Sequence, residues 1–165
     1  ARTFTLALLE IEFSMFERDV ESELLFACDK YNIGILPYFP LASGFLTGKY
    51  KRNSMPKGAR LSSNQHSAWS EKWLTEENFN IIEDLEKWAQ NKGITMVQLA
   101  FSWLLAKKSV SSVIAGATTI EQLKTNSNAS GINLSESDIE EIDKILPKRN
   151  KVGIGNIPRR VMNKA

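Results

Sequence analysis

Two stretches of this sequence carry groups suited to holding an anion. Gly116-Ala117-Thr118 has no bulky side chain to block a backbone approach. It runs straight into Thr119-Ile120-Glu121-Gln122, a capping pattern that opens a helix. Exposed N–H groups and the helix dipole at such a start favour negative charge. The second stretch, residues 39–60, is rich in Gly, Pro and Ser and gathers a local basic cluster that includes Lys49 and Arg60. Lysine suits a point-charge contact, and arginine offers a planar fork. Taken alone, both residues read as solvated surface charges; their setting lifts them to candidates.

Other patterns fail on their chemistry. Gly44-Phe45-Leu46-Thr47-Gly48-Lys49-Tyr50 resembles a P-loop but has three intervening residues where four are needed, and Tyr50 stands where a magnesium-binding hydroxyl belongs. Gly153-Ile154-Gly155 lacks the third glycine of a dinucleotide fingerprint and neither follows a strand nor opens a helix. No Tyr is followed four residues later by Lys. One Cys and one His rule out a Cys/His metal site. His66 sits in a polar stretch and reads as a solvated loop residue, while Cys28 reads as a buried, inert thiol. The tryptophans read as packing residues, with Trp69 and Trp73 as the weaker candidates for a lid.

The elements that must position these groups alternate. Residues 5–12, 33–38 and 112–115 read as strands; residues 19–28 and the segments opening at Thr75, Thr95, Thr119 and Ser135 read as helices. Residues 39–70 show no sustained period, and a loop that long is usually functional or disordered. Strands joined by helical crossovers are parallel, so the fold class is α/β, with two open sheet edges that invite pairing. The chain has 165 residues, 24% of them charged, and a net charge of +2. That is one soluble globular domain with no polyanion signature, and too short for a barrel of ~250 residues. No apolar run reaches the ~18 to 20 residues of a membrane helix. A strand so near Ala1 leads us to expect sequence upstream. A single cysteine fits a reducing, cytoplasmic setting. Residues 1–146 form the expected domain, and 147–165 a basic tail.

Four segments, in order, resemble the aldo-keto reductases, close to the members related to potassium-channel β subunits. Leu9-Glu10-Ile11-Glu12-Phe13-Ser14 resembles strand six, and Ile35-Leu36-Pro37-Tyr38-Phe39-Pro40-Leu41-Ala42-Ser43-Gly44 through Tyr50 resembles strand seven and its loop. Gln98-Leu99-Ala100-Phe101-Ser102-Trp103 resembles the helix before strand eight, and Ile114-Ala115-Gly116-Ala117-Thr118-Thr119 resembles strand eight with its phosphate turn. The resemblance implies a partial TIM (β/α) barrel, about strands six to eight with their helices, in which ligands sit beyond the C-terminal strand ends.

It also implies a cofactor, NADP(H), and residues to hold it. Tyr38 would present its ring to the nicotinamide; Phe39, Pro40, Leu41, Ala42 and Ser43 would line the pyrophosphate; Lys49 and Arg60 would neutralise phosphate. Gly116, Thr118, Gln122 and Asn126 would contact the adenosine phosphate end. Two positions depart from the family: Glu10 stands where Gln is usual and can only accept hydrogen bonds, and Thr125 stands where Glu is usual. The family's catalytic Tyr, Lys, Asp and His come from its first four strands. None of the motifs that bear them is present, so no catalytic residue is assigned; Tyr31, Tyr38, Tyr50 and His66 match none. The parent reaction implied is NADPH-dependent reduction of a small carbonyl, or its reverse, with this chain catalytically incomplete unless a complementing half or self-association fills the open edges. Two other readings remain: a nucleotide-binding interaction module, and a degenerate fragment without activity. Neither nucleic acid nor membrane is an expected partner.

Overall fold

The computed structural model of the chain describes residues 7–62 and 67–146. The first part of the strand expected at 5–12, His66 and the tail from 147 lie outside the described residues. Strands β1 (Leu8–Glu12) and β2 (Gly34–Tyr38) pair in parallel, in register from Leu8↔Gly34 to Glu12↔Tyr38. Helix α1 (Leu24–Tyr31) provides the crossover. The helix expected from residue 19 is split: Asp19–Glu21 forms a 3-10 turn, and the α-helix starts only at Leu24. The Ser22 hydroxyl donates to the Asp19 carbonyl at 2.9 Å, a local side-chain bond that competes with helical continuation.

The third strand expected at 112–115 does not form as a regular strand. Residues 109–114 run beside β2, joined by a parallel bridge between Ile35 and Val110. The Ile35 N–H donates to the Ser109 carbonyl, and the Ser111 N–H to the Ile35 carbonyl. The next donor on this side of β2 would be residue 37, a proline without an N–H. The ladder misses that bond and resumes one residue late, with Ile114 N–H donating to the Pro37 carbonyl at 2.9 Å. The phase of the side chains turns over at this slip. Val110 and Val113 pack against the core, while Ser111, Ser112 and Ile114 are exposed.

The sheet has one covered and one open face. Leu9, Ile11, Phe13, Ile35 and Pro37 lie on the helix side, and Leu8, Glu10, Glu12, Leu36 and Tyr38 on the other. Gly34 also lies on the open face. A Cβ there would sit 2.4 Å from Ser111 Oγ and 2.6 Å from a Leu8 methyl, so these two side chains fill the space that glycine leaves.

The helices supply the cover. In α3 (Glu76–Asn91), Phe79, Ile82, Leu85, Trp88 and Ala89 form the buried face. Gly93, at φ 68, ends it in a Schellman arrangement: Ile94 N–H donates to the Ala89 carbonyl and Gly93 N–H to that of Gln90. Helix α4 (Met96–Leu105) opens with a capping box between Thr95 and Gln98 and is buried on nearly every side. Helices α5 (Ile120–Asn128) and α6 (Glu136–Ile145) follow, capped by Thr119 and Ser135. The stretch expected to be a structureless loop holds more order than its composition signals. It contains 3-10 turns at Ala42–Thr47 and Arg60–Ser62 and helix α2 (Ser67–Trp73). Trp73 is buried in the core, packed edge-on to Phe16, so it is no lid residue. Cys28 is buried as expected, and that burial pushes its thiol pKa up.

A buried charge network binds the middle of the molecule. Arg18 is 5% exposed; its guanidinium bonds to Glu21 and, at 2.9 Å, to Asp143 of α6, and lies 5.2 Å from the Trp103 ring centre. Lys107 reaches Glu21 at 3.1 Å and covers Trp103 at 4.2 Å.

Candidate functional site

The site is built outward from the C-terminal end of β2. Tyr38 is half-buried on the open face, its ring 5.4 Å from that of Phe39 in an edge contact. The backbone then bends sharply. Phe39 (φ 51), Ala42 (φ 46), Ser43 (φ 58) and Gly44 (φ 94) all take left-handed conformations. A non-glycine residue there costs of order 1–3 kcal/mol, and such strain clusters at ligand sites. The turn is held by Ala42 N–H donating to the Phe39 carbonyl and Gly44 N–H to that of Leu41. Successive N–H groups in turns of mixed handedness form concavities suited to anions. Pro40 and Ala42 are buried, Leu41 and Ser43 half-buried, and Phe39 is exposed.

Lys49 folds back onto this loop. A Cβ on Gly44 would lie 3.4 Å from Lys49 Nζ, which also stands 5.2 Å from the Tyr50 ring centre. Tyr50 is the anchor beneath it. Its ring is fully buried, and its hydroxyl accepts from Leu61 N–H at 3.1 Å. That bond fixes the short Arg60–Ser62 turn against the flap, residues 48–54, and leaves Arg60 exposed. Sequence reasoning found that Tyr50 spoils a P-loop, ends the strand-seven segment and matches no catalytic position; its anchoring role depends on a partner eleven residues away.

The second region leaves the sheet at the same end. The bond from Ile114 to Pro37 ties residue 114 to the neighbour of Tyr38, and the 116–118 turn begins two residues later. Thr118 N–H and hydroxyl both donate to Gln122 Oε1, at 2.8 and 3.0 Å, and Asn126 Nδ2 donates to the Gly116 carbonyl at 3.4 Å. Gln122 and Asn126 therefore brace the turn with the groups that sequence reasoning assigned to a ligand. Nothing lies within 4 Å of where a Gly116 side chain would start. A depression of about 380 Å³, lined by Ala115, Ala117, Thr118, Thr119, Ile120 and Leu123, lies against the turn. The α5 N-terminus already favours negative charge: the backbone N–H of Glu121 and the Thr119 hydroxyl hold the Glu121 carboxyl below the usual carboxylate range. Thr125 turns its hydroxyl to its own helix, donating to the Glu121 carbonyl at 2.9 Å.

Glu10 lies on the open sheet face with Tyr38, but register sets it opposite Leu36. Glu12 is the residue paired with Tyr38; strand alternation puts it on the face of Glu10, and register alone sets its partner. A second hollow of about 250 Å³, lined by Cys28, Asn32, Gly34 and Lys108 among others, lies at the start of β2, the opposite end from these groups. Among the described residues no cluster of three or more His, Cys, Asp or Glu side chains forms a metal cage, and no helix is long and apolar enough to cross a membrane.

A sequence model described as the Aldo/keto reductase family matches residues 1–147. The chain belongs to that family. Among its relatives are a probable aldo-keto reductase 1 of Glycine max, 35% identical over 84% of this chain, and a probable voltage-gated potassium channel subunit beta of Arabidopsis thaliana, 32% identical over 85%. The NADH-specific methylglyoxal reductase of Escherichia coli K12 is 34% identical over 81%. The chain spans 39%, 44% and 40% of those proteins' own lengths, respectively. The resemblance noted in the sequence, including that to the channel β subunits, is thereby confirmed.

Proposed function

We propose that this aldo-keto reductase chain supplies the NADP(H)-holding portion of a partial TIM barrel, about strands six to eight. The observation that carries the reading is the placement of Lys49 over the strained loop after β2, on the sheet end where the 116–118 turn also leaves. Cofactor phosphates meet a cation on one side and backbone N–H groups on the other. Phe39, Pro40, Leu41, Ala42 and Ser43 lie along the pyrophosphate, with Lys49 and Arg60 supplying positive charge. Gly116, Thr118, Gln122 and Asn126 meet the adenosine phosphate by exchanging their bracing bonds for bonds to the ligand; Arg60, with a fork suited to a phosphate monoester, favours NADP over NAD. Tyr38 offers its ring to the nicotinamide, and Glu10 can accept from the carboxamide.

When bound, NADPH supplies the hydride for a carbonyl carbon. The developing alkoxide needs a proton donor of tuned pKa, and none of the residues assigned here fills that role. The chain by itself is then a binding portion that completes a reductase only with strands it does not include, in a cytoplasmic setting. The uncovered sheet face favours this reading, since parallel sheets need cover on both sides.

Titration of NADPH with the 165-residue chain, followed by cofactor fluorescence, tests the proposal. Saturable binding, weakened about tenfold or more by Lys49→Ala, is expected, a loss in the range of one charge-assisted contact. Absence of binding at millimolar cofactor defeats it.

A further inference from the structure

The ammonium of Lys49 is aimed by its neighbours in the chain. From Gly48 onward the flap makes successive attachments. Gly48 takes φ 76 with its backbone pressed to α3, where a Cβ would lie 2.9 Å from Glu86 Oε1. Lys51 Nζ donates to both oxygens of Glu86, at 2.5 and 2.6 Å. Lys51 and Ser54 exchange backbone hydrogen bonds of 3.1 Å in both directions, which puts Arg52 at the corner of a tight hairpin. From that corner the guanidinium spreads over the Phe79 ring and bonds to three side chains of α3: Glu83 at 2.9 Å, Asn80 at 2.5 Å, and Glu76. Residues 76, 80, 83 and 86 recur at helical spacing and form one stripe. The fork uses its geometry fully, which a lysine point charge would not.

We propose that Arg52 is a positioning residue, which staples the flap to the acceptor stripe of α3 and thereby holds Lys49 over the 39–44 loop. The role rests on the reading that this loop takes cofactor phosphate. Arg52 makes no contact with the loop itself in the hydrogen bonds described; it acts through the short segment that also carries Lys49 and the buried Tyr50. Glu76 and Glu83 are well exposed, at 84% and 44% of their side chains, so loosening the staple leaves the core intact.

A mere charge effect predicts the opposite outcome to a staple in one experiment. Glu76→Ala with Glu83→Ala removes two of the three acceptors and makes the region more positive. If Arg52 acted only as a nearby positive charge, NADPH would bind more tightly. If it positions Lys49, binding weakens about five- to tenfold, the range of coupled neighbours. Arg52→Ala should weaken NADPH binding to the same degree in the parent chain, but less than about twofold in the Lys49→Ala background, because its route is already cut. Arg52→Lys should restore only part of the loss. Equal losses in both backgrounds, or tighter binding by the double Glu variant, overturn the proposal. Should the parent chain bind no NADPH, the cofactor reading falls. Amide exchange then decides the staple alone: Arg52→Ala must speed exchange at Lys51 and Ser54 while the α4 amides stay protected, and unchanged rates at those two sites overturn it.

Discussion

Gly34 shows how much one missing methyl group decides. With Ser111 Oγ and a Leu8 methyl 2.4 and 2.6 Å from its absent Cβ, alanine at this position must turn two flexible side-chain ends aside. Because both can move and Leu8 is half exposed, the cost falls at the low end of overpacking, about 1 kcal/mol. Gly34→Ala is expected to lower stability by that amount in a urea melt, and Ser111→Gly in the same chain should recover part of it. A melt unchanged by Gly34→Ala would mean that these two side chains do not lie this close. The residue scale is also where sequence reading reached furthest. Lys49, Arg60 and the 116–118 turn could be singled out as candidates because their types combine with an ordered family context. Their orientation was not legible, since Tyr50 is fixed by a bond to residue 61 and Arg52 by bonds to residues 76, 80 and 83. Nothing in local spacing says which face of α3 a distant flap will meet.

Helix ends carry their own chemistry. Asp138 closes the capping box of α6, accepting from the Ser135 N–H and hydroxyl, and also pairs with Lys92 just beyond α3. Lys92 first, and then the two Ser135 bonds, lower its pKa from 3.8 to about 2. A group whose folded pKa is depressed contributes stability above its unfolded value and loses it as pH falls through the folded one. The contribution is therefore complete above about pH 4 and fades between pH 4 and 2. Asp138→Asn should flatten the acid limb of a stability–pH curve in that window while lowering stability at pH 7; an acid limb identical in both proteins would show that the carboxylate is not linked to folding. Helices α4 and α6 were legible because Thr or Ser stands three residues before a side chain that bonds back, and α3 because its apolar residues share one face. Helix α2 was not, being short, mostly polar and embedded in a Gly- and Pro-rich stretch. The early start expected for α1 failed because the period continued through residues that Ser22 diverts into a 3-10 turn.

At the scale of the whole molecule, Arg18 joins parts that have no sequence proximity. It links the segment after β1 to Asp143 of α6, 125 residues apart, and lies against Trp103 at the heart of α4. Removing Arg18 takes its bonds from Glu21 and Asp143 but leaves Glu21 with Lys107 at 3.1 Å, so the cost is about 2–3 kcal/mol, less than for a fully stranded buried charge. Arg18→Ala should cause a loss of that size in equilibrium unfolding, large enough to unfold a marginal domain; a change below about 1 kcal/mol would place the network in solvent.

The proline in β2 has a further reach. A peptide that cannot donate at residue 37 leaves its neighbour free to slide by one position, and the slide is locked in by the next carbonyl. Every atom downstream inherits that offset: the 116–118 turn begins a step later, and Ile114 points away from the interior instead of into it. The place proposed here for an anion is thus set partly by a hydrogen that is not there.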